Sequence, residues 1–267
     1  MRTESKLLTS LRATVERIVQ SLNLQKVVPT VGRPRDLSLT ETLTAALFWH
    51  QAQITTKKKT WELLEPNCSY KTFVVSLNRV ATLALRILLV ILRGNHETAH
   101  RVKHVDSTDI PVCTIRKAKH HKTMRGLAVW SKTGKGWFYG LKLHLIADLE
   151  GRILSLCFTP GNTDDRVPVM DLAGELDGIF VADAGYVSTD LATQFHREGR
   201  RWFLAKPKAN MRKLASEIET WLYGTRMLIE LNFRNLKMFY GLVSSLSRSI
   251  TGYLANYIYA ILAYVLA

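Results

Sequence analysis

Asp106 stands inside the stretch HVDSTDIPV, and Asp183 closes the apolar run GIFVAD just ahead of Gly185 and Tyr186. Aspartate is a poor strand former, and a carboxylate buried near a strand end is costly unless something offsets its charge. A divalent cation would offset it. A third acid, Glu230, belongs to a set with helical spacing, because Tyr223, Arg226, Glu230 and Lys237 are separated by 3, 4 and 7 residues. At about 100° per residue, the four fall within roughly 60° of one another around a single helix. Such a stripe would offer Glu230 to a metal and set Arg226 and Lys237 beside it to neutralise phosphate, while Leu228, Leu231 and Phe239 pack inward. Three carboxylates with two cations suit phosphodiester chemistry, in which an attacking water or hydroxyl is activated and a leaving oxygen stabilised. Two Mg²⁺ ions roughly 4 Å apart supply both functions. Mg²⁺ takes hard oxygen ligands and keeps several waters, so two or three carboxylates suffice, and Mn²⁺ is the expected substitute.

Each feature also has an ordinary explanation. Asp183 before a glycine would simply end a strand, and Arg226 with Glu230 would form an i,i+4 surface pair worth a few tenths of a kcal/mol. Asp109, three residues after Asp106, competes with it for the first position, but strand alternation puts the two on opposite faces, and Asp106 is preferred. Two basic segments flank the acids. Arg116, Lys117, Lys119, Lys122 and Arg125 follow the first, and Lys206, Lys208, Arg212 and Lys213 follow the second. Each reads as a phosphate track or as a solvated loop. Trp130, Trp137 and Trp202 would stack on bases if exposed, but the expectation is that they pack in the core.

These residues need elements to carry them. Residues 1–95 read as helices: Ser38 and Glu41 form a capping-box pattern before the apolar run 43–49, and 74–91 continues in helical style. Between them, TTKKKTWELLEPNCSYKT fits either a helix-turn-helix whose DNA-facing helix covers 69–79 or a helical bundle with solvated lysines. Gly94 and Asn95 are expected to end the helix. Strands follow at about 102–113, 136–148 and 152–159, with a hairpin turn at 148–151. After them come a helix near 164–174, the strand GIFVAD, a helix near 188–198, the strand RWFLAK and two or three closing helices. That order predicts a mixed sheet flanked by helices, the arrangement of a ribonuclease H-like α/β domain, preceded by a small all-helical domain. The expected division is 1–95 and 96–267.

Composition agrees with that reading. Thirty-seven basic residues against 22 acidic ones give a net charge of +15 and a pI near 9.9, which favours a polyanionic partner. Nearly all the aspartates fall between 106 and 190, so a basic chain concentrates its carboxylates in one region. Cys68, Cys113 and Cys157 are odd in number and form no CxxC pair, which indicates neither a disulfide framework nor a zinc ribbon and suits a reducing cytoplasm. The amino terminus has no apolar signal-peptide core. Residues 249–267 are uncharged and mostly apolar, but Thr251, Asn256 and the tyrosines mark a buried terminal helix rather than a membrane span.

The spacing Tyr223, Arg226, Glu230, Lys237 reproduces the Y-R-E-K signature of bacterial insertion-sequence transposases of the DDE class. DAGY from Asp183 and VDST around Asp106 resemble that family's segments around its second and first acids. GLKLHLIAD and GNTDD resemble its G-x-K-x-H strand and N-x-x-D turn. The resemblance covers about 102–240. It implies a ribonuclease H-like enzyme that binds the inverted-repeat ends of a mobile element in double-stranded DNA, cuts there, and joins the 3′-hydroxyls to target DNA. It assigns metal binding to Asp106, Asp183 and Glu230. Only 46 residues separate the last two, too few for a large insertion domain. A homodimer or higher oligomer on DNA, a location at the bacterial nucleoid in the cytoplasm, and no membrane partner go with that expectation. Three rivals stand beside it: a non-catalytic DNA-binding protein derived from a transposase, a nuclease of the same fold that cuts without joining, and a zinc metallopeptidase built on His96, Glu97 and His100, which match HExxH.

Overall fold

The computed structural model describes residues 2–27, 35–197, 200–208, 210–211 and 215–267. Two compact units divide the chain, one formed by residues 1–90 with 235–267 and the other by 91–234.

The first unit is helical. It contains α1 (Arg2–Ser21), α2 (Leu39–Gln51), α3 (Lys57–Leu64), most of α4 (Tyr70–Glu97) and α9 (Ile250–Val265). The capping box read from the sequence is present: Ser38 caps α2 by accepting from the Glu41 amide, and the Glu41 carboxylate returns the bond to the Ser38 amide. Along α4, Phe73, Leu77 and Val80 are buried while Lys71, Val75 and Arg79 face outward, the 3.6-residue alternation of a half-buried helix. α9 is buried over most of its length, as its composition indicated. It groups with the amino-terminal helices rather than with the sheet. Tyr259 Oη donates to the Leu77 carbonyl (2.7 Å), and Gln51 Nε2 donates to the Ala263 carbonyl (2.8 Å). The expected run of a single carboxyl-terminal domain through 267 therefore differs from the observed grouping, because the apolar faces of α9 find their cover among helices far away in sequence.

The second unit is built on a mixed sheet of β1 (Val102–Pro111), β2 (Val129–Thr133), β3 (Gly136–Asp148), β4 (Ile153–Pro160), β5 (Gly178–Ala182) and β6 (Arg201–Ala205). β3 pairs antiparallel with β1, β2 and β4, and β5 lies parallel between β1 and β6. Aromatic and β-branched content makes β3 the long central strand. It has a sharp constraint at Gly140, where any Cβ would run into the Ile110 carbonyl of the paired strand. On one face of the sheet, Val105, Ile146, Leu154, Phe180 and Phe203 are buried under α5 (Val169–Ala173) and α6 (Thr189–Arg197), the latter adding Phe195 to the cluster. The other buries Val102, Val181 and Leu222, the last from α7 (Glu217–Gly224). α8 (Met227–Met238) follows α7.

Three expectations are corrected here. α4 does not stop at Gly94 but continues to Glu97, because its last turn is docked on β4: Asn95 Nδ2 donates to the Ile153 carbonyl and His96 Nε2 to the Leu154 carbonyl. These bonds outweigh the glycine penalty of about 1 kcal/mol. The single helix expected through 223–237 is broken, with α7 ending at Gly224 and α8 beginning at Met227. Thr225 and Arg226 form the turn, held by Thr225 Oγ1 bonding to the Leu222 carbonyl (2.7 Å). Trp130, Trp137 and Trp202 are not core residues but are 37%, 56% and 50% exposed.

Candidate active site

β1 and β5 are parallel neighbours whose last paired positions are His104 and Val181. Two residues further on each strand stand Asp106 and Asp183, so equal register puts the two carboxylates side by side on one sheet face, with strands about 4.8 Å apart. Asp183 lies just past the end of β5 and caps the short turn Ala184–Tyr186, one oxygen accepting from the Gly185 amide at 2.8 Å. Asp106 accepts from the Ser107 amide at 2.8 Å.

The break between α7 and α8 delivers the other groups. Arg226, in the turn, places a guanidinium nitrogen 3.2 Å from Asp106 Oδ2 and 3.9 Å from Glu230 Oε1. The Arg226 side chain is 14% exposed and that of Asp106 16%, whereas Glu230 on α8 is 63% exposed. His104, on the Asp106 face of β1, fixes the turn through a 2.9 Å bond between its Nε2 and Thr225 Oγ1. Burial, reinforced by the Arg226 charge, lowers the His104 pKa to about 4. Burial also raises the Asp106 carboxyl to about 6; Arg226 and the Ser107 amide oppose that rise, and the charges of Asp183 and Glu230 add to it. The two other acids are thus close enough to be felt at Asp106. Among the described residues, however, no group of three His, Cys, Asp or Glu side chains is gathered tightly enough to hold a metal ion.

The remaining sequence candidates divide. Tyr223, on α7, donates to the Ala205 carbonyl at 3.3 Å and lines a cavity of about 470 Å³ with Lys206 and Lys208. Lys237 is on α8, seven residues past Glu230. Arg116, Lys117, Lys119, Lys122 and Arg125 are all exposed. Arg212 and Lys213 lie outside the described residues. Asp109 pairs in register with Lys142, and its neighbour two positions back, Ser107, bonds to Asp165 on the face away from Asp106. The HExxH residues do not form a zinc site: α4 ends at Glu97, His96 Nε2 is bound to the Leu154 carbonyl, and His100 Nδ1 accepts from the Val102 amide.

One polar cluster was not anticipated as a site. Asp165 receives Lys142 Nζ at 2.8 Å and Ser107 Oγ at 2.7 Å, with His144 Nδ1 at 3.9 Å. Lys142 Nζ also donates to the Thr163 carbonyl at 2.9 Å. Its sequence signal was the alternation of Lys142 and His144 on β3 together with the turn Asn162 to Asp165. Ser107 is adjacent to Asp106 and bonded to it through its amide, so this cluster braces the strand carrying the first acid from the opposite face.

Residues 96–250, more than half of the chain, match the family described as the transposase DDE domain. A comparison with curated proteins gave no match. Among solved structures, the cryo-EM structure of the piggyBac transposase synaptic complex with hairpin DNA aligns with a TM-score of 0.55 at 10% identity, over 99% of this chain and 72% of that one. The crystal structure of the Mos1 mariner paired-end complex with Mn aligns with a TM-score of 0.27 at 12% identity, over 100% and 97%. With the family match spanning both strand aspartates, Arg226 and Glu230, the chain belongs to the transposase DDE domain family.

Proposed function

We propose that this chain is a bacterial insertion-sequence transposase with a ribonuclease H-like catalytic unit. It binds the inverted-repeat ends of its element, cleaves phosphodiester bonds there with two Mg²⁺ ions, and joins the 3′-hydroxyls to target DNA. The observation that carries the reading is the equal register of Asp106 and Asp183 on neighbouring parallel strands, with Glu230 brought to the same side by α8. The strand order and the Y-R-E-K spacing support the finer family assignment.

The donors fit a hard divalent cation in kind, since three carboxylates are offered and the most buried of them has an incomplete set of donors. Asp106, Asp183 and Glu230 would hold the ions. Bound there, divalent ions activate the attacking oxygen and stabilise the leaving one. Arg226 keeps a positive charge beside Asp106 and Glu230 and is placed to meet phosphate, and Lys206 and Lys208 extend the positive surface past Tyr223. The protein would act as a dimer or higher oligomer on paired DNA ends, at the nucleoid in the cytoplasm.

A second reading has one observation in its favour. Arg226 already pairs with Asp106, and among the described residues no three acids are gathered tightly enough to hold a metal ion, as a non-catalytic DNA-binding descendant would have it. Labelled duplexes ending in the flanking genomic repeat separate the two. With Mg²⁺, the wild type is expected to nick and join them, while Asp183→Asn binds without cutting. Equal cutting by wild type and variant would take Asp183 out of the mechanism. Binding by the wild type with no strand breakage would establish the non-catalytic reading.

A further inference from the structure

The hairpin of β2 and β3 carries side chains that neither the core nor the acid site uses. Its register pairs Trp130 with Tyr139 and Lys132 with Trp137, and residues two apart on a strand share a face, so all four stand on one side. Phe138, between Trp137 and Tyr139, points the other way and is buried. The rings of Trp130 and Tyr139 lie 5.6 Å apart at 55°, and His121 adds an edge-on contact to Tyr139 at 6.3 Å. Trp137 is 56% exposed at the end of this ladder. Trp130 at 37% and Trp137 at 56% exposure, on one face with Tyr139, form an apolar patch rather than isolated surface side chains.

Charge narrows what could cover them. Residues 110–147 contain eight Lys or Arg and no Asp or Glu. Arg116, Lys117, Lys119, Lys122, Arg125, Lys132 and Lys135 are all exposed. Aromatic faces among cations with no acid suit a nucleic acid strand whose bases are free to stack, because every base has a π-face and every linkage a negative charge. Duplex DNA would satisfy the lysines but hides its base faces. Trp137 lies eight residues along β3 from Leu145, the register partner of Asp106, which is about 26 Å at the usual strand rise. The platform is therefore separate from the acid site.

We infer that the Trp130–Tyr139–Trp137 face of this hairpin binds unpaired bases of a DNA strand, with Lys132 and Lys135 on its phosphates. The inference rests on the DNA-processing reading above and adds a site for single-stranded substrate to it. The test uses the full chain in EDTA, so that metal-dependent steps play no part, and measures the anisotropy of a labelled oligothymidylate of roughly 15 nucleotides and of a blunt duplex of similar length. Trp137→Ala is expected to weaken oligothymidylate binding about 5- to 50-fold while changing duplex binding less than about twofold, with Trp137→Phe restoring most of the loss. Trp137→Leu, which keeps apolar bulk without the ring, is expected to behave like the alanine variant, at an unchanged melting temperature. Unchanged oligothymidylate affinity in both Trp137→Ala and Trp130→Ala would overturn the inference, as would an equal loss for both DNAs, which describes a phosphate track. Duplex binding by the wild type without affinity for oligothymidylate removes this inference alone, whereas failure to bind either DNA removes the transposase reading with it.

Discussion

Asp148 and Asp106 are two aspartates on adjacent strands, three positions apart in register, yet their surroundings differ. Asp148, at the end of β3, is fully buried and accepts from the amides of His100, Glu150 and Arg152 and from the Arg152 guanidinium, all between 2.9 and 3.3 Å. Arg152 also donates to Thr98 through Nη1 and Nη2, and its Nη2 lies 3.1 Å from Glu150 Oε2. Asp106 accepts from one backbone amide and one guanidinium nitrogen, and burial raises its pKa to about 6. A carboxylate that serves the fold is surrounded by donors; one kept for a ligand is buried first and left short of them. Under the proposed function, Asp148 is expected to serve the stability of the sheet and Asp106 its chemistry.

Exchanging each for asparagine gives the widest separation. Asp106→Asn is expected to reduce strand cleavage by at least ~10³-fold, the scale of losing a principal charge-stabilising group, with a smaller loss of melting temperature than Asp148→Asn, because relief of the Asp106 burial cost offsets part of the loss of its pair with Arg226. Gel-based cleavage and thermal unfolding on one preparation check both halves. A variant that unfolds would contradict the contrast from one side, and a variant that still cuts from the other. Asp148→Asn is expected to do the reverse. It leaves Arg152 and several amides with a weaker acceptor, at a cost of about 2–4 kcal/mol in denaturant unfolding, with turnover retained by whatever fraction stays folded.

How far this contrast was legible in the sequence depends on whether it arises locally. Asp106 and Asp183 stood out because each acid interrupts or ends an apolar strand, a pattern visible without neighbours. β1, β3, β4 and β5 were legible for the same reason, but β2 was not, since VWSKT is short and alternates weakly. The turn at Thr225 and Arg226 is signalled locally only by Gly224, a residue that commonly ends helices, and the 3–4–7 spacing carries no mark of the break. Yet that break is what brings Arg226 to Asp106. The Asp165 cluster depends on which residues of β1 and β3 face each other, and the partner of α9 depends on helices some two hundred residues away; periodicity carries neither. Hydrophobicity misplaced the tryptophans, because it records what a side chain prefers and not which face of a strand it occupies.

A histidine gives the same contrast in basic form, with a smaller effect. His50 is buried on α2 with its Nδ1 donating to the Tyr240 carbonyl at 2.7 Å, while its Nε2 has no hydrogen-bond partner among the described residues. Burial lowers its pKa from 6.5 to about 4, and the Lys57 charge adds to the shift. A pKa depressed on folding means that the contribution is fully present above pH 6.5 and is lost as the pH falls through the window toward 4. Urea unfolding across that window is expected to lose up to about 3 kcal/mol from this residue, at 1.36 kcal/mol per pKa unit. His50→Asn, which keeps a donor for Tyr240 without a titrating ring, is expected to flatten that part of the profile. An unchanged slope would show that His50 is protonated without cost in the fold.

The smallest effect concerns Tyr223, whose place in the Y-R-E-K spacing suggests a role with DNA and whose hydroxyl is bonded to the protein. The phenol reaches the Ala205 carbonyl at the end of β6 and so ties α7 to the strand that leads into the basic loop of Lys206 and Lys208. As a fold contact, it belongs with Asp148. Tyr223→Phe is then expected to cost about 1 kcal/mol of stability and to leave duplex affinity within twofold, the usual worth of one neutral hydrogen bond. As a DNA contact, it belongs with Asp106, and the same substitution would weaken binding while the melting temperature stayed fixed. Denaturant unfolding and duplex anisotropy on this single variant therefore decide on which side of the comparison the first residue of the signature falls.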